Sequence, residues 1–187
     1  MVCELDGAKP VNSFALVSYI PDPLGGFLDR LRQELVPSCL LHSHVSILPP
    51  RPLDGHADEA FGRICSRMKQ MNAFELHLGD VEIFENTAVV YIAIREGFEE
   101  LKAMHSILNA GALSFEEPHS YHPHITLAQD FPREQLHELA ARAARCWSEF
   151  DQRRAFPIEE AAFVQNTDRN MWINLGHCSL SRVPAAL

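Results

Sequence analysis

The chain has 187 residues, of which 47% are hydrophobic, and a net charge of −9, which is typical of a globular protein with one sizeable core. The acidic charge, with few lysines, disfavours a surface that follows a long nucleic-acid backbone. There is no run of about 18 apolar residues and no signal-like N-terminus, so we expect a cytoplasmic protein that does not enter a membrane.

The five cysteines are scattered along the chain and are never spaced as Cys-x-x-Cys. We therefore expect neither a disulfide framework nor a zinc ribbon. Cys65 and Cys146 fall on predicted helix faces, and we interpret them as small core residues.

Short apolar runs alternate with apolar residues at helical spacing, after a loose lead-in over residues 1–11. We expect Pro37 and Pro49-Pro50 to end the elements that precede them. The predicted order is strand 14–20, helix 24–35, strand 40–48, helix 60–71, a hairpin of strands 74–83 and 87–94, helix 98–108, strand 121–128, a helix from Asp130 to about Phe150, and strands 158–164 and 171–175.

One pattern occurs twice in this order, over roughly residues 14–83 and again over roughly 87–164. It consists of a strand, a helix, a histidine-containing strand, a second helix and a further strand. The repeat predicts an α+β fold that forms a single bilobal domain over residues 1–187. We expect a duplicated structure, with two antiparallel or mixed sheets and outer helices around a central cleft.

The two histidine-containing strands carry the residues that could take part in catalysis. Side chains two residues apart share one face of a strand. The shared face holds His42, His44 and Ser46 in the first strand, and His122, His124 and Thr126 in the second. Imidazole transfers protons near neutral pH and a hydroxyl donates to an anionic oxygen, so these faces suit phosphate or acyl chemistry.

The segments His44-Val45-Ser46-Ile47 and Tyr121-His122-Pro123-His124-Ile125-Thr126-Leu127 resemble the motifs of the 2H phosphoesterase superfamily. The likeness is greatest to the 2′-5′ RNA ligase-like branch of that superfamily. The resemblance implies two lobes around a water-filled cleft. It also implies that His44 and His124 are the catalytic pair and that Ser46 and Thr126 hold the phosphoryl oxygens.

On this basis we expect a metal-independent phosphodiesterase that needs no cofactor and acts as a monomer. The expected substrate is a small nucleotide or an RNA end that carries a 2′,3′-cyclic phosphate. One histidine would take a proton from water while the other protonates the departing ribose oxygen. The sequence leaves open which histidine is the base and whether the reverse reaction gives 2′-5′ RNA ligase activity.

Four further residues are candidates for contact with the substrate. Tyr121 could stack on a base or donate to phosphate, or simply pack, and Arg51 could reach a phosphate or lie in an exposed loop. His42 and His122 could line the cleft or its rim. The other histidines are interpreted as surface or structural residues: His56, His77, His105, His119, His137 and His177.

Two other functions stay open. The pairs His42-x-His44 and His122-x-His124, with His119, could supply imidazoles to zinc or another divalent ion, as in a metal-dependent hydrolase. Metal binding does not explain the hydroxyl residue that follows each strand histidine. The third hypothesis is a non-catalytic module that binds nucleotides or phosphorylated ligands.

Overall fold

The computed structural model describes residues 7–39 and 41–181, so the start of the predicted lead-in and the first residue of the predicted strand 40–48 lie outside the described residues. Within these ranges, no helix combines the length and the apolar character needed to cross a membrane. The strands are β1 (Pro10–Tyr19), β2 (His44–Arg51), β3 (Phe74–Phe84), β4 (Val89–Glu96), β5 (His124–Ala128), β6 (Ala155–Ile158), β7 (Glu160–Thr167) and β8 (Trp172–Ser179). The helices are α1 (Leu24–Leu35), α2 (Ala57–Met68), α3 (Phe98–Leu108) and α4 (Leu136–Ser148).

The strands form two four-stranded sheets, with the orders β2-β1-β7-β8 and β5-β4-β3-β6. All neighbouring strands are antiparallel. The histidine strands β2 and β5 are each the edge strand of one sheet, and the two strands contact each other. The predicted α+β fold, with two sheets and outer helices, is confirmed.

Both sheets take strands from both halves of the chain. β3, which ends the first predicted repeat, pairs with β4 in the second sheet, whereas β7 pairs with β1 in the first. Each sheet also packs against helices from both halves of the chain. Helices α1 and α4 contact the second sheet, and helices α2 and α3 contact the first. Each lobe is therefore built from both repeats of the pattern.

The helices bury the apolar sides that their spacing predicts. The buried side of α1 includes Leu24, Leu28, Leu31 and Leu35. Helix α4 begins at Leu136 and not at Asp130, because Pro132 is followed by a short 3-10 turn over Arg133–Gln135 before the helix starts.

Strand β2 continues through Pro49-Pro50 to Arg51, although the sequence analysis expected the prolines to end it. Proline is tolerated there because β2 is an edge strand, in which not every N–H has a partner strand. The same reason explains β6, an edge strand with Pro157 that the sequence analysis did not predict.

A disulfide joins Cys65 of α2 to Cys178 of β8, across 113 residues of sequence. The sequence analysis, which expected no disulfide framework and interpreted Cys65 as a small core residue, did not predict this bond. The two residues belong to no short spacing motif, and the fold alone brings their Cα atoms to 4.9 Å. Cys146 is a free, half-buried cysteine, as the helical spacing predicts.

The turn between β4 and α3 requires glycine. Gly97 has a φ of +82°, and a Cβ on it would collide with the Leu76 side chain and lie 2.7 Å from the Glu75 carbonyl oxygen. We predict that Gly97→Ala lowers the free energy of unfolding by about 2–4 kcal/mol, through left-handed strain and overpacking. Urea denaturation measures this loss.

Gly62, inside α2, is the matched control for that substitution. A Cβ at Gly62 would meet no atom within 4 Å, and alanine favours a helix over glycine by about 0.5–1 kcal/mol. Gly62→Ala should therefore stabilise the protein. Equal effects of the two substitutions would contradict the assignment of strain to Gly97.

Candidate active site

The two histidine strands have the same local structure. Residues 41–48 and 121–128 have the same burial pattern, with exposed, half-buried and buried positions in the same order. The apolar members of each strand are buried in the core, whereas the second histidine and the hydroxyl residue are half-buried and line a common cleft. The four cleft residues are His44, Ser46, His124 and Thr126.

The imidazoles of His44 and His124 are fixed in the same way. His44 Nδ1 lies 2.7 Å from the carbonyl oxygen of His42, and His124 Nδ1 lies 2.7 Å from the carbonyl oxygen of His122. A carbonyl oxygen can only accept, so Nδ1 carries the hydrogen in both rings. In the neutral form this leaves Nε2 as a free base, and in the protonated form Nε2–H becomes an acid.

The cleft disfavours positive charge on these rings. Burial lowers the pKa of His44 from 6.5 to about 4, against the opposing effect of the bond to the His42 carbonyl, and the charges of Arg32 and His124 lower it further. Burial also lowers the pKa of His124, and a charge on His122 adds to this effect. At pH 7 the free protein therefore holds a neutral pair.

The cleft has a volume of about 690 Å³, in the range of small-molecule sites. One wall is the turn between β3 and β4, where Phe84, Glu85 and Asn86 line the cleft. Another wall comes from Phe115 and the loop that leads to β5. The sequence analysis predicted a hairpin of strands 74–83 and 87–94 but had no signal that its turn faces the histidines.

Tyr121 lines the cleft, but its hydroxyl is already engaged. The hydroxyl donates to the carbonyl oxygen of Ser46 at 2.7 Å, and its ring stacks on His105 with the centroids 3.9 Å apart. His105 is correspondingly a buried structural residue that bonds Glu117 at 2.8 Å, as its interpretation as surface or structural allowed.

Arg51 does not lie in an exposed loop and is not among the cleft-lining residues. It is the last residue of β2, only 2% exposed, and its guanidinium pairs with Glu117. It also donates to the Asn109 side chain and to the carbonyl oxygens of Pro49 and Leu113. The prediction of a phosphate contact was therefore wrong for Arg51, because these partners occupy its donors.

The outer histidines of the two strands differ in their surroundings. His122 lines the cleft, with its ring edge-to-face against Phe84 and Phe98 at 5.3 and 5.2 Å. His42 is exposed and pairs with Asp29 at 2.8 Å, outside the cleft wall. His119, interpreted as a surface or structural residue, is exposed and also lines the cleft.

The metal-site hypothesis finds no cluster to support it in the described ranges. No three His, Cys, Asp or Glu side chains among those residues come close enough to hold an ion together. The Nδ1 atoms of His44 and His124 are bound to carbonyl oxygens, and His42 turns towards Asp29.

Two facing edge strands, each with one oriented histidine and one hydroxyl residue, are the arrangement that the resemblance to the 2H phosphoesterases implied. A family model described as the 2′-5′ RNA ligase superfamily matches residues 20–170. The chain belongs to the 2′-5′ RNA ligase superfamily, as the resemblance of its motifs predicted. No curated protein matches the sequence.

Solved structures with the same fold include E. coli LigT. Its phosphate complex matches with a TM-score of 0.63 and 17% identity, over 93% of this chain and 98% of that chain. Its complex with 3′-AMP matches with a TM-score of 0.62 and 15% identity, over 93% and 99%. A crystal structure of a phosphoesterase gives a TM-score of 0.56 and 16% identity, over 92% and 99%.

The lowered pKa values can be measured directly by NMR titration of the two imidazoles. We predict that His44 titrates at about 4 and that His124 titrates below 6.5 in the free protein. Inorganic phosphate should raise both midpoints, because an anion between the rings favours their protonated forms. Midpoints at or above 6.5 without phosphate would contradict this description of the site.

Proposed function

We propose that the protein is a metal-independent phosphodiesterase that hydrolyses 2′,3′-cyclic phosphates. One observation carries the proposal: two neutral imidazoles with bound Nδ1 atoms line one cleft from facing strands, each beside a hydroxyl residue. A five-membered cyclic phosphate needs an acid and a base near one phosphorus atom, together with donors for its non-bridging oxygens.

In the proposed reaction, water attacks phosphorus while the base accepts a water proton at Nε2. The bond between phosphorus and one ribose oxygen breaks, and the acid gives its Nε2 proton to that oxygen. A phosphomonoester and a ribose hydroxyl result. The hydroxyls of Ser46 and Thr126 donate to the non-bridging oxygens and stabilise the charge of the transition state.

We assign the base to His44 and the acid to His124. His44 has its pKa lowered to about 4 and senses the positive charge of Arg32, so it is the ring that stays neutral when one proton is present. The substrate anion, bound between the rings, favours protonation of the other ring. After the product leaves, His44 loses a proton to solvent and His124 gains one from solvent, so each ring returns to its starting state.

The size and lining of the cleft favour a small substrate or the end of a chain. Phe84 and Phe115 offer apolar surface to a nucleobase, and protonated His124 supplies positive charge to the cleft in the reactive form. One chain supplies both histidines and both hydroxyl residues of the cleft, and we propose that the enzyme acts as a monomer. The reverse reaction, which would join a cyclic phosphate to a ribose hydroxyl as a 2′-5′ linkage, uses the same two histidines.

Alanine substitutions test the proposal. We expect His44→Ala and His124→Ala to lower kcat/KM on a nucleoside 2′,3′-cyclic phosphate by about 10²–10⁴-fold, since each removes one proton-transfer group. Ser46→Ala and Thr126→Ala should each cost about 10²-fold through lost charge stabilisation. The substrates are a nucleoside cyclic phosphate, an RNA with a cyclic end, a 2′-5′ linkage and an ADP-ribose cyclic phosphate.

Two controls accompany these variants, and other outcomes would favour the alternative functions. His137→Ala changes an exposed histidine, 77% accessible and outside the cleft, and should retain full activity. Excess EDTA should leave the wild-type rate unchanged, and loss of turnover would favour the metal-dependent hydrolase. Binding without turnover on every substrate would favour the non-catalytic module, and full activity of either catalytic histidine variant would refute the assignment.

A phosphodiester with a 4-nitrophenolate leaving group separates the two roles. This leaving group departs without protonation, so it needs a base but no acid. His124→Ala should therefore recover much of its activity on this substrate, whereas His44→Ala should not. The opposite pattern would exchange the roles of the two residues.

The pH dependence provides a separate test. The reactive form has a neutral His44 and a protonated His124, so acid removes the base and alkali removes the acid. The pKa of His44 is lowered to about 4, and the pKa of His124 is lowered from 6.5. The pH profile of kcat/KM should therefore be bell-shaped, with its maximum between the pKa of His44 and the pKa of His124. The optimum of kcat should lie at higher pH, because the bound anion raises both pKa values. A kcat/KM that is constant from pH 5 to 8 would contradict the pair.

A further inference from the structure

The two catalytic strands belong to different sheets, and their backbones pair with different neighbours. β2 pairs with β1, and β5 pairs with β4. The chemistry nevertheless requires the hydroxyls of Ser46 and Thr126 to reach the same phosphate. A contact that crosses between the strands therefore has a direct effect on the geometry of the site.

Tyr121 makes such a contact. It lies three residues before His124, at the entry to β5, and its hydroxyl donates to the backbone carbonyl oxygen of Ser46 at 2.7 Å. The bond attaches one catalytic strand to the residue that carries the phosphate-binding hydroxyl of the other. Burial strongly raises the pKa of Tyr121, so the hydroxyl keeps its proton and remains a donor.

The ring of Tyr121 is itself fixed from behind. It stacks on His105 of α3 with an angle of 6° between the planes. His105 Nε2 lies 2.8 Å from Glu117 Oε1, and the same carboxylate pairs with Arg51 at the far end of β2. These contacts form a closed chain that begins and ends on β2, which we call the Tyr121 clamp.

The clamp has no equivalent on the other strand. The burial patterns of the two strands align Tyr121 with Leu41, whose side chain has no hydrogen-bond donor. The otherwise symmetric site therefore depends on one side for this connection between its halves.

We propose that Tyr121 is a positioning residue, which sets the spacing of the two catalytic strands through its hydrogen bond to the Ser46 carbonyl. The proposal rests on the proposed phosphodiesterase function. It assigns to Tyr121 neither base stacking nor a direct phosphate contact. Loss of the bond displaces Ser46 and His44 from their productive positions, although every reacting group is still present.

Tyr121→Phe is the test, because it removes the hydroxyl and keeps the ring on His105. On a nucleoside 2′,3′-cyclic phosphate, we expect kcat to fall about tenfold and KM to change less than threefold, as for a small misplacement of reacting groups. Replacement of Tyr121 by 4-aminophenylalanine restores a donor at the same place and should restore most of kcat.

Trp147→Phe is the matched control. Trp147 Nε1 donates to the backbone carbonyl oxygen of Gly79 at 2.9 Å, so this variant also removes a bond from a buried aromatic donor to a carbonyl. Trp147 packs between α4 and the second sheet, away from the cleft. The variant should lower Tm at least as much as Tyr121→Phe and leave kcat unchanged.

Hydrogen exchange provides a readout that needs no turnover. The amides of residues 44–48 and of Arg51 should exchange faster in Tyr121→Phe than in the wild type and in Trp147→Phe. If the wild type hydrolyses no cyclic phosphate, the proposed function fails, and the exchange comparison alone decides whether the clamp exists.

Three results would overturn the positioning role. The first is a kcat of Tyr121→Phe equal to that of Trp147→Phe. The second is a rise in KM alone, which would indicate direct contact of the hydroxyl with substrate. The third is unchanged exchange at the amides of residues 44–48 and Arg51. If Tyr121→Phe does not fold, failure of the 4-aminophenylalanine variant to keep wild-type kcat would have the same meaning.

Discussion

The site depends on one hydrogen bond made twice, from His Nδ1 to the carbonyl oxygen two residues earlier, at 2.7 Å in both strands. The accepting carbonyls belong to His42 and His122, just before β2 and β5 begin, so no residue from elsewhere in the chain is needed to fix the tautomer. The bond directs Nε2 towards the cleft and holds each ring in one orientation. A charged partner at Nδ1 would have raised the pKa of the ring much more than a neutral carbonyl does.

The site also depends on the position of β2 and β5, which are both edge strands. A strand inside a sheet has neighbours on both sides, whereas an edge strand leaves one side open to solvent or to another element. Here the two edge strands contact each other, and side chains from both of them line the cleft. This arrangement also accommodates Pro49 and Pro50 in β2, because both can lie at an edge without breaking a ladder of hydrogen bonds.

The sequence predicted the parts of the structure that local periodicity determines. Alternation placed His44, Ser46, His124 and Thr126 on strand faces, and the cleft contains all four. It did not place Arg51 in the core, because Pro49-Pro50 were expected to end the strand before this residue, whereas β2 continues through both prolines to Arg51. The contact of Tyr121 with Ser46 spans 75 residues and depends on the path of a loop, which no local pattern encodes.

The exchange of β3 and β7 between the sheets has a consequence for synthesis on the ribosome. Pro10 pairs with Thr167 and Val17 with Ala162, so β1 leaves the ribosome about 150 residues before its inner neighbour. At typical translation rates this delay is roughly 8–30 s. For that time β1 and β2 can form at most a two-stranded ribbon, which is marginally stable in water. The nascent chain thus exposes an apolar strand edge until β7 has been synthesised, and β1 and β2 are the target for a chaperone that shields such edges.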